Sequence, residues 1–344
     1  MTDNLTANSS LPLPPQVTVI GGGPAGLMAA TIVAEAGLRV EIFDAMPSCG
    51  RKFLVAGRGG LNLTHSAPLD TFASNYGNAK QLFQELLTAF PPEHLRFWLR
   101  HTLDVETFIG TSGRVFPSQA SAAEILKRWH AHLSRLGVIF HQRHRWQGLS
   151  TEGTILFSTP NGARVTTKGD AILLALGGAS WPQTGSDGGW MEPLTALGVQ
   201  CRSFRPANCG FEVPWSLYFR EHFNGSPIKN ITIQCDNHTA SGELMITRHG
   251  LEGGAIYQLS SIIRDRLEQQ LPVIVHVDLK RDLSLEQILV ALRKKSGSQS
   301  MSNFLRKTLR LSSPAYPLLR ELLPPESLEH LELLAQSIKH LPIP

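Results

Sequence analysis

The chain has 344 residues and a mass of 37.7 kDa, more than one hydrophobic core usually holds, so an enzyme-sized protein of two domains is expected. Hydrophobic residues make up 42% and charged residues 17%, which excludes a largely disordered or fibrous chain. A net charge of +4 is weak at this length and by itself points to neither nucleic acid nor a membrane as partner.

Residues 1–15, MTDNLTANSSLPLPP, carry neither a basic start nor an apolar core and read as a disordered polar tail, not a signal peptide. No run of about 18 apolar residues follows. A cytoplasmic protein is therefore expected, with the sequons at Asn62 and Asn230 arising by chance. The four cysteines, Cys49, Cys201, Cys209 and Cys235, lack the spacing of a zinc site or a disulfide framework, so they read as reduced thiols.

The first element, VTVI at 17–20, is a short buried-type strand stopped by glycines. Pro24 suits the first position of a helix, and Gly37 the position just past its end. A second strand, RVEIFDA, then carries Asp44. Gly21, Gly22, Gly23, Pro24, Ala25 and Gly26 satisfy G-x-G-x-x-G between that strand and helix. The first glycine of the motif makes the turn, the second admits a pyrophosphate, and the third allows helix and strand to pack closely. The diphosphate would rest on the positive helix N-terminus. Asp44 would accept from ribose hydroxyls and disfavour a 2′-phosphate.

A second motif, CGRKFLVAGRGGLNLTHS at 49–66, has no task in a dehydrogenase that binds only NAD. Gly50, Gly57, Gly59 and Gly60 expose backbone N–H groups, and Arg51, Lys52 and Arg58 add positive charge, so the segment reads as a second anion cradle. Helical apolar spacing follows over 79–100 and 118–136. Short β runs come next, GVIFHQRHRWQGL, GTILFST and ARVTTKGDAILLALGG, and fit a β-meander that returns a buried strand, AILLAL, to the first sheet. The third motif closes this region. Gly177, Gly178, Gly185, Gly188 and Gly189 follow a strand end, where glycine lets the chain turn close to a ligand.

The basic and aromatic stretch KRWHAHLSRLGVIFHQRHRW, 127–146, spans a helix and a strand and reads as a solvated face, not an RNA site. The histidine spacing gives no metal site. Walker, HExxH and G-x-S-x-G motifs are absent. Residues 16–204 are thus expected to form an α/β, Rossmann-type nucleotide domain with a β-meander. Residues 205–340 are expected to form an α+β unit, β-rich first (ITIQCDN, ELMITRHG, PVIVHVDL) and helical from Leu285.

With these motifs the chain resembles the BaiN-like family of bacterial FAD-dependent oxidoreductases. The resemblance rests on VIGGGPAGLMAA, GRKFLVAGRGGLNLTHS, ALGGASWPQTGSDG and TRHGLEGGAIYQLS at 247–260. It implies a two-dinucleotide-binding-type flavoprotein with the 205–340 domain inserted into the FAD domain. Gly21 to Gly26 would hold the pyrophosphate, Asp44 the adenosine ribose, and Arg51 to Asn62 the flavin side. The family's Ala-Thr-Gly-Gly is Ala175-Leu176-Gly177-Gly178 here, which removes one hydroxyl contact.

No catalytic acid or base is carried over, since the isoalloxazine itself carries electrons. A small-molecule substrate is expected, with NAD(P)H or oxygen completing the redox cycle. Relatives end in a further flavin-covering segment, whereas this chain stops at SIKHLPIP. The rival expectation is therefore a non-catalytic remnant that holds the nucleotide half alone. His249 and Glu252 could be substrate-side groups, although a capped turn explains them more simply.

Overall fold

A computed structural model describes residues 13–57, 60–295 and 299–344. The chain divides into two compact units, Met1–Phe204 and Arg205–Pro344. In the first unit the strands are β1 (Gln16–Ile20), β2 (Arg39–Asp44), β3 (Thr64–His65), β4 (Thr107–Ile109), β5 (Arg114–Pro117), β6 (Ile139–Gln142), β7 (Arg145–Leu149), β8 (Ile155–Ser158), β9 (Arg164–Thr167) and β10 (Ala171–Leu174). Its helices are α1 (Pro24–Glu35), α2 (Arg51–Ala56), α3 (Leu69–Ser74), α4 (Lys80–Ala89), α5 (Pro92–Leu103), α6 (Ala122–Arg135) and α7 (Met191–Ala196).

β1 is buried on both faces because it lies inside a parallel sheet of order β10-β1-β2-β6. Leu27, Ala30 and Ala34 of α1 pack against one side of this sheet together with Ile125, Trp129 and Leu133 of α6. The two helices are joined by a buried bond from Trp129 Nε1 to Thr31 Oγ1, 2.9 Å. Ser121 starts α6 by accepting from the Glu124 amide. A second cluster holds Ile20 and Phe43 against Trp146, Ile155 and Phe157, and the rings of Phe43 and Phe157 stack at 4.3 Å. Gly37 takes φ 83° just past the end of α1, in line with its expected place.

Three local expectations are corrected. The helical stretch 79–100 is two helices, because Pro91 and Pro92 cannot continue the first and Pro92 starts the second. The run 137–149 splits at Arg143, whose φ is 59°: β6 joins the parallel sheet, and β7 turns away into the antiparallel β7-β8-β9 meander. β10 does return to the first sheet, but at its edge and not buried, with Leu174 40% exposed. A small β3-β5-β4 sheet had no counterpart in the sequence reading.

The second unit contains β11 (Phe211–Glu212), β12 (Ser226–Cys235), β13 (His238–Ile246), β14 (Gly250–Glu252), β15 (Val275–Asp278) and β16 (Leu341–Ile343). They form an antiparallel sheet of order β11-β14-β13-β12-β15-β16. Its helices are α8 (Leu217–His222), α9 (Gly254–Glu268), α10 (Leu285–Leu292), α11 (Met301–Thr308), α12 (Ala315–Leu322), α13 (Pro325–Glu329) and α14 (Leu331–Lys339). The expected β-rich first half also contains the 15-residue α9, which buries Ala255, Ile256, Leu259 and Ile263 in the unit's core. A capping box at Ser284 and Gln287 opens α10, where the leucine-rich helical half begins.

Candidate cofactor site

The glycines of the first motif differ in what surrounds them. A Cβ on Gly21, where φ is 106°, would lie 2.2 Å from the Ala175 carbonyl oxygen, so the turn is closed against the end of β10. A Cβ on Gly26 would lie 1.8 Å from the Gly21 carbonyl oxygen, while one on Gly23 would meet nothing within 4 Å. Gly23 caps α1 with no side chain over the helix end and no acid in the first turn. Ala25 lies inside that turn, where the N-terminal N–H groups of a helix lack intrahelical partners and favour an anion.

Gly22 cannot carry a side chain either, since its Cβ would stand 2.3 Å from Cys49 Sγ. Its N–H donates to Asp44 Oδ2 at 2.6 Å, and the Met46 N–H donates to Oδ1 at 2.7 Å. Asp44 therefore braces the glycine loop from the end of β2 while lining the cleft, and each carboxylate oxygen retains further accepting capacity. Burial is the largest influence on this carboxyl and pushes its pKa above the ordinary value, against the two amide bonds and the Arg51 charge.

The Gly50 N–H donates to the Gly22 carbonyl at 2.8 Å, which joins the second motif to the first. Arg51 and Lys52 then open α2 on the cleft wall. Lys52 Nζ donates to Ser180 Oγ at 2.6 Å and Ser186 Oγ at 3.3 Å. Arg58 and Gly59 lie outside the described residues. One cleft thus gathers Gly21, Gly23, Pro24, Asp44, Arg51, Lys52, Gly177 and Gly178, with Gly22, Ala25 and Gly26 in the loop that shapes it. Gly57, Gly60 and Asn62 are not among its lining residues. Gly57 instead allows close packing, since its Cβ would come 2.4 Å from Ala122 Cβ.

The cleft also has walls that sequence reasoning missed. Met46, His144, Arg145, Trp146, Ser186, Asp187 and Trp190 line it. Arg145 pairs with Asp187 at 2.9 Å, and Trp190 Nε1 donates to the Gly177 carbonyl at 3.0 Å, which fixes the third glycine turn. The stretch 127–146 is accordingly not one solvated face. Trp129, Leu133 and Trp146 are buried, and His144 to Trp146 reach the cleft, because helix and strand periodicities each turn one side inward. The third motif did signal Asp187 and Trp190 by position, but nothing local marked His144 or Trp146.

These residues fit a dinucleotide. An uncapped helix N-terminus and an open glycine suit a diphosphate, two cations flank them, and a carboxylate stands at the neighbouring strand end. In the second unit, Asn224, Thr247, Arg248, His249 and Glu252 line a separate cavity. There Thr247 Oγ1 accepts from the Gly250 N–H at 3.1 Å in a local turn, and the Tyr257 hydroxyl donates to Glu252 at 3.4 Å. Among the described residues no three His, Cys, Asp or Glu side chains group as metal ligands, and all four cysteines are free.

Residues 15–299 match the family described as HI0933-like protein Rossmann domain. The chain belongs to that family. The resemblance to BaiN-like proteins agrees with this match and with the relatives found. The family is one of FAD-dependent oxidoreductases, and FAD is the cofactor that goes with it. The chain is 24% identical over 278 residues to the 3-dehydro-bile acid delta(4,6)-reductase of Clostridium scindens, covering 79% of this chain and 66% of that protein. It is 26% identical over 299 residues to the ribosomal RNA dihydrouridine synthase of Escherichia coli, covering 83% and 69%. The chain thus spans about two thirds of the length of these curated relatives.

Among solved structures it is similar to the 3-ketosteroid-delta4-(5alpha)-dehydrogenase of Rhodococcus jostii RHA1. The identity is 16% and the TM-score 0.40, with 57% of this chain and 56% of that one covered. Among the described residues no helix is long and apolar enough to cross a membrane.

Proposed function

We propose that this chain is an FAD-dependent oxidoreductase whose substrate class is a small molecule bearing a carbon–carbon double bond conjugated to a carbonyl. The single observation that carries the cofactor half of this reading is the continuous cleft from Asp44, past the open end of α1, to Gly177 and Gly178. Gly21 to Gly26 would cradle the diphosphate and Asp44 would accept from the adenosine ribose. Arg51 and Lys52 would flank the ribityl and flavin side. Arg58, Gly59, Gly60 and Asn62 extend that segment as candidates from the sequence alone, and Gly57 supports it by packing.

When bound, the isoalloxazine supplies two-electron chemistry. The names of two relatives support the substrate class. A delta(4,6)-reductase acting on a 3-dehydro steroid and an enzyme forming dihydrouridine both saturate a double bond activated by a carbonyl. Such a substrate takes up one hydride equivalent and one proton, and NAD(P)H is the reductant class that balances the reaction. Oxygen, itself an oxidant, would serve instead as an alternative acceptor that returns the reduced flavin to its oxidised form. Free cysteines throughout suit a reducing compartment such as the cytoplasm. The domains that do this work would be 16–204 for FAD and 205–340 for the substrate side.

The test begins with the visible spectrum of the purified protein after addition of FAD and removal of the free cofactor. Retained flavin bands that bleach anaerobically with NAD(P)H, and return on adding a cyclic enone or a uridine-containing RNA, are expected. The substrate that restores colour distinguishes a small molecule from RNA. Failure to retain FAD would overturn the proposal and favour a remnant that holds the nucleotide half alone.

A further inference from the structure

Lys52 stands on the first turn of α2, yet its ammonium is bonded to residues 128 and 134 positions later in the chain. Ser180 Oγ and Ser186 Oγ accept from it at 2.6 and 3.3 Å. Both serines belong to the loop that follows β10. Ser186 is 6% exposed, and its hydroxyl oxygen lies 3.8 Å from where a Cβ on Gly177 would stand. It therefore sits beside the third glycine turn. Among the described residues Lys52 forms no salt bridge with a carboxylate. Neutral hydroxyls hold the cation without cancelling its charge, and one of its three N–H donors remains for a ligand.

We propose that Ser180 and Ser186 are positioning residues for Lys52. They hold its cation across the cleft, so that the second and third glycine loops meet the anionic part of the cofactor together. The inference rests on the FAD reading above. Its physical basis is preorganisation: a lysine stem loses much rotamer freedom when fixed, and fixing it before binding lowers the entropy lost when the ligand arrives. A surface lysine acting alone would gain nothing from the serines. A clamped lysine would depend on them.

The test uses the full chain and four variants: Ser180→Ala, Ser186→Ala, Lys52→Met, and Ser180→Ala with Lys52→Met. Ser180 is exposed, so its truncation leaves folding intact. Losing a hydrogen bond to a charged group should weaken FAD affinity about tenfold in Ser180→Ala. The double variant should bind within about twofold of Lys52→Met, because the serine acts through the lysine. Wild-type affinity in Ser180→Ala, or losses that multiply in the double variant, would overturn the proposal.

A second readout needs no FAD. Acetylation of the Lys52 amine, followed by peptide mass spectrometry, should quicken several-fold in Ser180→Ala and Ser186→Ala while Lys127 stays constant. Unchanged labelling would overturn the clamp whatever FAD does. Faster labelling in a protein whose wild type binds no FAD would remove the cofactor reading and leave the clamp standing.

Discussion

Gly26→Ala would place a Cβ on the Gly21 carbonyl oxygen, with no flexible side chain to yield. We expect loss of FAD retention together with a lower melting temperature, both read from the same purified sample. Asp44→Asn keeps the size but removes the charge that ribose hydroxyls would face, and should raise the FAD Kd about tenfold. Because burial raises the Asp44 carboxyl, FAD affinity should fall as the pH drops through that raised value, in titrations at fixed ionic strength. The same residue acts on folding with the opposite sign. Its contribution to stability is present below the ordinary carboxylate pKa and is lost as the pH rises through the raised one. Cys49 is 1% exposed, and burial, with the nearby Asp44 charge, pushes its thiol to about 12. A thiol reagent at pH 8 should therefore leave Cys49 unlabelled in the native protein and label it after denaturation, as peptide mapping would show.

At the scale of elements, the buried bond from Trp129 to Thr31 ties α6 to α1. Thr31→Val would keep the shape and leave the indole N–H unpaired in the core, at a cost of about 1–3 kcal/mol in chemical denaturation. β1, α1 and β2 were legible in the sequence because each is marked within a few residues by an apolar run, a proline, a glycine or a strand-end acid. Pro91 and Pro92 mark the break between α4 and α5, but the apolar spacing on either side concealed it. α9 was overlooked because two glycines open it directly after a strand, and glycine usually signals a loop. The β3-β5-β4 sheet has strands of two to four residues, too short to show a period. For the cleft, the local glycines were readable. Its far wall at 144–146 depends on β6 lying beside β2, and that is decided by tertiary pairing.

Across the whole molecule, two hydrophobic clusters lie in the first unit and one in the second, and among the described residues every sheet is built from strands of a single unit. Calorimetry of the intact chain should show FAD raising the melting of the first unit, by about 2.7 kcal/mol of stability at a hundredfold excess over Kd. A transition assigned to 205–344 should stay where it is. A uniform shift would show the two units melting as one. The sheet order β10-β1-β2-β6 also has a consequence in time. β1 is made well before β10, yet one of its flanks is filled only by that strand, some 150 residues on, where Asp170 accepts from the Gln16 N–H. Until then a hydrophobic strand waits half-paired and nothing shapes a nucleotide cleft, so closure must be late and slow, and the nascent chain is most exposed to misassociation in that interval.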